Sequence, residues 1–478
     1  MSEARRTVRN AGWLMGQRAF HVVAAALFAL LVPRLMGPDL FGQYSLLTSV
    51  SMWFAMLSGL GAVSLMTRVV PKYTAAGDIA GLRTLFSSLL ALRTGTGVMT
   101  AVSYLAIVVW VLGERDWVSA ALIAAAVFTR TVGNLCFTLF LGLNQAARWG
   151  MGDLVRRILT LAGVLVGFPL GGLPGACAGF LFANVVVLIV GVLGARPYLS
   201  WASLDLRRSY LAPFLRTGTS FAAGNLLLAL AQRSGETIVR LATSDYAQVG
   251  FFGAAYSIYL TGAHALWQGA MAFSPLLVGL LHQGQTDAVL VWLERLLKWM
   301  AIASSIALLA TVMVGDDLVP LVLGHAYSVV GDSLRPLTLS LVAMAVCSIG
   351  RLAALVADRP GVSAMAAGAE LAMFWSIGPL LASRYGATGM AFAALAGTTF
   401  YGAVITWRTR DVLPYSLLPT ARALGLSFAF LPLALLRGTL LVNVALLAVA
   451  IGGYAATLLW RRVVSLDELR SARTIIRT

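Results

Sequence analysis

Met36-Gly37-Pro38-Asp39-Leu40-Phe41-Gly42-Gln43-Tyr44 closes one long apolar run and opens the next. Ala242-Thr243-Ser244-Asp245-Tyr246-Ala247-Gln248-Val249-Gly250-Phe251-Phe252 stands in the same place between two later runs. The echo continues past the turn. Gly172-Leu173-Pro174-Gly175, ahead of a Gly/Ala-rich helix, is answered by Gly386-Ala387-Thr388-Gly389 ahead of another. Such a repeat, in a chain made of long apolar segments, marks an internally duplicated, all-helical membrane protein, an architecture that transporters use widely.

The composition agrees. Hydrophobic residues make up 59% of 478 positions and charged residues 11%, against roughly 25% charged in a soluble domain. The longest polar stretch, 196–213, is too short for a core of its own. The net charge of +16 is scattered through short loops with no basic stripe and interleaved aromatics, so nucleic acid is set aside as a partner. Cys136, Cys177 and Cys347 lie in apolar context without paired spacing and read as small core residues. No Walker motif, metal cluster or nucleophile–base arrangement is visible, so neither a cofactor nor an enzyme activity is expected. The basic start, Arg5-Arg6-Thr7-Val8-Arg9, precedes an apolar run too long for a signal peptide; it is read as an uncleaved first transmembrane helix.

A bilayer core about 30 Å thick needs roughly 20 mostly apolar helical residues. By that measure the chain carries about fourteen transmembrane helices, with twelve or thirteen as alternatives. They divide into a six-helix lobe over 1–196, a cytoplasmic linker over 197–213, a second six-helix lobe over 214–410, and two extra helices with a basic tail over 411–478. Span five is read as 154–170 and span seven as 214–239. Of 35 Lys and Arg residues, only Arg34, Arg115, Arg240, Arg335, Arg384 and Arg437 fall on outer segments when the N-terminus is inside. Cytoplasmic segments hold most of the rest, among them Arg68, Lys72, Arg148, Arg156, Arg157 and Arg207. That bias predicts cytoplasmic N- and C-termini. Two six-span halves enter the membrane with the same orientation and imply a cleft between them. Pro275 and Pro379 offer bend points within spans.

Five arginines remain inside spans: Arg18, Arg93, Arg130, Arg233 and Arg351. A central one costs about 2.5–3.5 kcal/mol to insert and stays protonated, so each should face protein or water. Arg93 and Arg351, nearer the cytoplasmic ends, are expected to snorkel. Arg130, with Asn134 one turn on, suits cleft lining and interhelical packing equally. Arg18 follows Gln17 and precedes His21 on the first span; Arg233 follows Gln232 on the first helix of the second lobe. These two are expected to line the cleft. Only Glu236 and Glu370 are acidic and well inside spans. Glu236 shares a helical face with Arg233 and Arg240, leaving surplus positive charge that a bound anion would complement. Both glutamates are candidates for ion or proton coupling, with buried ion pairing as the alternative. His21, Asn184, Asn225, Gln232 and Gln268, with Gln17, are the polar groups available to the cleft, although a lone helical histidine is most often a packing residue.

The Pro33-Arg34-Leu35-Met36-Gly37-Pro38-Asp39-Leu40-Phe41-Gly42-Gln43-Tyr44 turn, Gly59-Leu60-Gly61, Arg68 with Pro71, Leu173-Pro174-Gly175 and Gly250-Phe251-Phe252 carry a family likeness. The chain resembles the Wzx-type polysaccharide transporters of the multidrug/oligosaccharidyl-lipid/polysaccharide (MOP) exporter superfamily. The resemblance covers essentially the whole chain and implies a MATE-like fold of two bundles around a central cavity. It further implies a flippase that moves an undecaprenyl-diphosphate-linked glycan from the inner to the outer leaflet of a bacterial cytoplasmic membrane. Membrane lipid, a polysaccharide polymerase and a chain-length regulator are the partners it implies. Cationic cavity residues of related flippases are thought to meet the diphosphate, and Arg18, Arg233 and Arg130 match that idea by chemistry. Lipid II flippases share the architecture but carry several arginines near the first helix, where Arg18 here stands alone. A lipid II flippase, a cation-coupled multidrug exporter and a non-transporting scaffold are the alternatives.

Overall fold

The computed structural model describes residues 3–59, 62–200, 204–207, 209–210 and 226–464. Its side chains are described from Phe20 in the first stretch, from Leu65 in the second, and at every later position of these stretches except Pro360. Among the described residues the longer α-helical segments are α1 (Glu3–Leu57), α2 (Ala62–Ala75), α3 (Ile79–Ala106, prolonged by a π turn Ile107–Val111), α4 (Trp117–Gly142), α5 (Ala146–Ala195), α6 (226–233) and α7 (Gly235–Thr243). Then come α8 (Tyr246–Ala272), α9 (Ser274–His282), α10 (Thr286–Leu323), α11 (Val330–Val356), α12 (Pro360–Arg410), α13 (Leu418–Phe428) and α14 (Leu440–Trp460). Among the described residues there is no β-strand.

Ten segments of the described residues are long and apolar enough to cross a membrane. Three of the helices in them double back. In α1, Gly37 leaves the helical region (φ 73°, ψ 168°), and the rings of Phe28 and Tyr44 meet across the turn at 6.3 Å. In α5, Gly171 and Gly172 break the helix. A Cβ on Gly163 would stand 2.7 Å from the Gly179 carbonyl, and Gly167 and Gly175 touch backbone to backbone. In α12 the break is Gly386, and Gly389 lies against the Leu381 carbonyl. Each is a helical hairpin turned on one or two residues. Lipid offers no hydrophobic drive to join helices, so close backbone approach at glycine supplies the packing. The ten segments thus hold more crossings than ten. Span seven of the sequence reading falls partly on 211–225, outside the described residues.

The duplication is written in the backbone. Gly172 (φ 59°, ψ −142°) and Gly386 (φ 57°, ψ −135°) adopt one conformation, as the paired motifs predict. Two further pairs of turns match. Asp78 N–H donates to the Tyr73 carbonyl at 3.0 Å, and Gln285 N–H to that of Leu280 at 3.0 Å, each after a left-handed glycine, Gly77 or Gly284. Gln145 N–H donates to Phe140 and Arg359 N–H to Ala354, both at 2.8 Å, after left-handed Asn144 and Asp358. These are Schellman-type closures that satisfy the last carbonyls of a helix.

The chain packs as two compact units, Met1–Gly253 and Ala254–Thr478. The division falls inside α8, later than the 197–213 segment read as a linker. That segment is laced onto α3: Ser200 and Asp205 N–H groups donate to Ser87 and Ser88 hydroxyls at 2.8 and 2.9 Å, and Arg83 Nε to the Pro197 carbonyl at 3.0 Å. The opening helices of the second repeat, α6, α7 and the start of α8, belong to the first unit. Gly42 and Gly250 explain why. Gly42 touches the Tyr246 carbonyl and Gly250 touches that of Pro38, an approach that any Cβ would block.

The first unit centres on Leu82, Leu85 and Phe86 of α3 against Leu135, Cys136 and Leu139 of α4. In the second, the extra C-terminal helices are an integral side. Ala423 of α13 and Tyr454 of α14 pack on Ile302, Leu309 and Met313 of α10, and Arg437 joins Arg335 on Asp316. All three cysteines are buried and free. Pro275 sits in the first turn of α9, just after the end of α8, whereas Pro379 lies within the continuous first half of α12.

Candidate functional site

Span five begins earlier than its hydropathy suggests, because α5 starts at Ala146. Arg156 therefore lies about 15 Å along the helix axis, and the 153–157 turn that reads as cytoplasmic is part of the helix. Asp153 becomes a third embedded carboxylate beside Glu236 and Glu370. It accepts from Arg157 Nε at 3.0 Å, one helical turn on, and faces His21 Nδ1 of α1 at 3.7 Å. Arg156 Nη2 donates to Asn134 Oδ1 of α4 at 2.6 Å, and its Nε is buried without a hydrogen-bond partner.

Arg130, at mid-height of α4, completes the group. The charges that act on it are those of Arg156, Asp153, Arg157 and Arg233. Among the described residues neither Arg130 nor Arg233 forms a hydrogen bond or close ion pair. Asp153 meets this group with the His21 imidazole at its side, and the charges of Glu236 and Arg233 act on each other, so four guanidiniums face two carboxylates. Counted at 1.5 Å per residue from the Gly37, Gly172 and Ser244 turns and from the start of α4, these residues lie roughly 16–29 Å from one end of their helices, with Asp153 the farthest. In a hydrocarbon core of about 30 Å that is inside the membrane. A like-charged cluster there is tolerated only if water or an anion reaches it.

The structure brings together Arg130, Arg233 and His21 from the sequence-predicted set, with Gln232 half-buried beside Arg233. Asp153, Arg156 and Arg157 were missed, because the hydropathy of the stretch places them at the edge of span five. The available signal was their spacing: Asp153 and Arg157 sit four residues apart, the interval of a helical ion pair. The Gln17 and Arg18 side chains and Asn225 lie outside the described residues.

Other predicted groups go elsewhere. Asn184 turns its amide back onto the Phe180 carbonyl of its own helix (2.8 Å), and Gln268 is half-buried on α8 in the second unit. Glu236 is buried, accepting from Ser45 at 3.4 Å with its second oxygen unpartnered. Arg240, expected to share its charge, instead donates to the Ser244 carbonyl and stacks over Tyr246 at 3.9 Å. Glu370 accepts from Thr398 at 3.4 Å, with Arg351 as the acting cation. Arg351 lies over the Trp267 ring at 3.9 Å.

Arg93 does not snorkel. It is 6% exposed and donates to the Gly59 carbonyl at 2.6 Å, filling an acceptor just past the end of α1 that helix geometry leaves open. Among the described residues no group of three or more His, Cys, Asp or Glu could hold a metal ion.

Guanidinium forks suit phosphate and carboxylate oxygens, which they bind in pairs. With four guanidiniums against Asp153 and Glu236, the site keeps surplus positive charge and is electrostatically matched to a multivalent anion.

A family model described as polysaccharide biosynthesis protein matches residues 7–280, more than half the chain and all of the cluster. The chain belongs to that family. Solved structures with the same fold are transporters. The chain is similar to the lipid II flippase MurJ in an inward closed conformation, with 10% identity and a TM-score of 0.74, over 96% of this chain and 100% of that one. It is similar to an inward-facing multidrug resistance MATE family transporter of the MOP superfamily (15% identity, TM-score 0.70, 83% and 94% covered). A MOP superfamily transporter from Pyrococcus furiosus, described as having a binding pocket of reverse polarity, aligns at 16% identity and a TM-score of 0.58 over 86% and 95%. A comparison with curated proteins found no match. The chain is a multi-pass membrane protein that shares its fold with these transporters.

Proposed function

We propose that this protein is a flippase for an undecaprenyl-diphosphate-linked oligosaccharide, moving it from the inner to the outer leaflet of the bacterial cytoplasmic membrane for polysaccharide export. The observation that carries the reading is the cluster of four guanidiniums, Arg130, Arg156, Arg157 and Arg233, in excess of the carboxylates Asp153 and Glu236. A diphosphate diester carries about two negative charges and must leave water to cross hydrocarbon. Charge-assisted, bidentate bonds to guanidinium replace that hydration, while the polyprenyl tail remains in lipid. Membership of a polysaccharide biosynthesis family supports a substrate drawn from polysaccharide assembly.

Alternating access supplies the step between leaflets, and no ATP is required. Moving one charge through the membrane potential is worth about 2.3 kcal/mol per 100 mV, and with a negative interior the outward passage of an anionic lipid runs downhill. Glu236 and Glu370 are the groups through which protons or cations would couple instead. A cation-accepting drug site would need unpaired carboxylates facing its ligand, and the cluster has the opposite sign. MurJ-like lipid II transport involves the same head group, so the distinction lies in the sugar.

Deleting the gene in a strain without a redundant transporter tests the reading. A complete lipid-linked oligosaccharide trapped on the cytoplasmic leaflet supports it and names the glycan. Lysis with trapped lipid II would move the assignment to that substrate. No trapped lipid-linked glycan of any kind would overturn it.

A further inference from the structure

Among the described residues Asp153 is the one carboxylate that forms a close ion pair in the arginine cluster, and its placement is unusual for a structural brace. Both of its ionic contacts, to Arg157 Nε and His21 Nδ1, fall on the same oxygen, Oδ2. Its side chain is 37% exposed, and that of Arg157 is 31% exposed, so a ligand can reach the pair. Arg156, Arg130 and Arg233 each have donors without a protein acceptor among the described residues. Among the described residues Arg157, alone of the four, forms a close ion pair with a carboxylate of the protein.

We infer that Asp153 is a resident counter-ion that competes with the diphosphate for Arg157, and so trades affinity for release. This rests on the diphosphate-lipid reading of the cluster. In the empty protein Asp153 holds Arg157 and offsets one of four positive charges. An arriving diphosphate engages Arg130, Arg156 and Arg233 first and then takes Arg157 from Asp153. On the far side Asp153 recaptures Arg157 and loosens the ligand, so the carboxylate acts as a positioning residue. A cluster without it would bind more tightly and let go more slowly. A transporter gains nothing from that, because turnover requires release.

The test measures binding of farnesyl diphosphate to the purified full-length chain in nanodiscs, with thermal unfolding of the empty protein measured alongside. Asp153→Asn is expected to tighten binding about tenfold, equivalent to about 1.4 kcal/mol, with most of the change in the dissociation rate. In proteoliposomes it lowers both KM and kcat for the lipid-linked substrate, whereas a structural lesion would lower kcat without tightening binding. Asp153→Asn combined with Arg157→Gln loses the gain in affinity. Asp153→Ser, which also removes the charge, stands in if the Asn variant does not fold. If wild type binds farnesyl diphosphate and both charge-removing variants bind it equally or more weakly, Asp153 is only a brace between α1 and α5 and the inference fails. If wild type does not bind it at all, the diphosphate reading itself fails, and this inference with it.

Discussion

Arg130→Gln should move stability and binding in opposite directions. Among the described residues Arg130 makes no hydrogen bond or close ion pair, and three of the four charges acting on it are guanidiniums. Removing its charge breaks no contact and relieves repulsion. The insertion cost of a central arginine, about 2.5–3.5 kcal/mol, sets an upper bound on the relief. Part of that cost is already offset by Asp153 and by water, so a gain of roughly 1 kcal/mol is the expectation. The same substitution removes a charged donor from the ligand. Hydrogen bonds to charged groups contribute about 1.5–3 kcal/mol, which is roughly a 10- to 150-fold loss of affinity.

The assay pairs thermal unfolding of the empty protein in detergent with titration of farnesyl diphosphate. The expected outcome is an unfolding temperature equal to or above wild type together with the weakened binding. Such opposition is common at functional sites, where stability is given up for activity. A variant that melts earlier and binds as well as wild type would refute the reasoning, because Arg130 would then be a structural residue.

Gly167→Val and Gly175→Val place a side chain where two backbones touch and should prevent the α5 hairpin from closing, seen as loss of folded protein in fluorescence-detected size exclusion, while Gly171→Ala, with open space around it, should accumulate better than either. Tyr246→Phe removes the hydroxyl that donates to Glu114 Oε2 at 2.7 Å; leaving that 6%-exposed carboxylate one donor short costs about 1–3 kcal/mol, read as a lower unfolding temperature that Glu114→Gln in the same chain partly restores. Single cysteines at Asn144 and Asp358 should react with impermeant thiol reagents only from the cytoplasmic side and those at Gly172 and Gly386 only from outside; the reverse pattern would overturn the orientation drawn from the basic loops.

The sequence carried the class of molecule and its repeat. Long apolar runs need lipid as solvent, and tight turns that reverse a helix need glycine or another residue able to take a left-handed backbone. Those requirements are local, so Gly37, Gly172 and Gly386 could be read as turns and the structure bears them out. The surplus of embedded positive charge was equally legible, because an arginine in an apolar run is conspicuous wherever it ends up.

What the sequence could not settle is which charges meet. Asp153, Arg156 and Arg157 sit where hydropathy fades, and hydropathy marks a span only where it is apolar; helical hydrogen bonding carries α5 on through the polar turn. Arg93 reads as a snorkelling residue because a sequence does not show the Gly59 carbonyl waiting for it. Arg233 reads as the opening of a second lobe, yet Gly42 and Gly250 let α8 lie against α1 and bring it to Arg130 within the first unit. Pairing across helices depends on rotation and backbone approach between segments far apart in the chain, and those were decided by the tertiary structure alone.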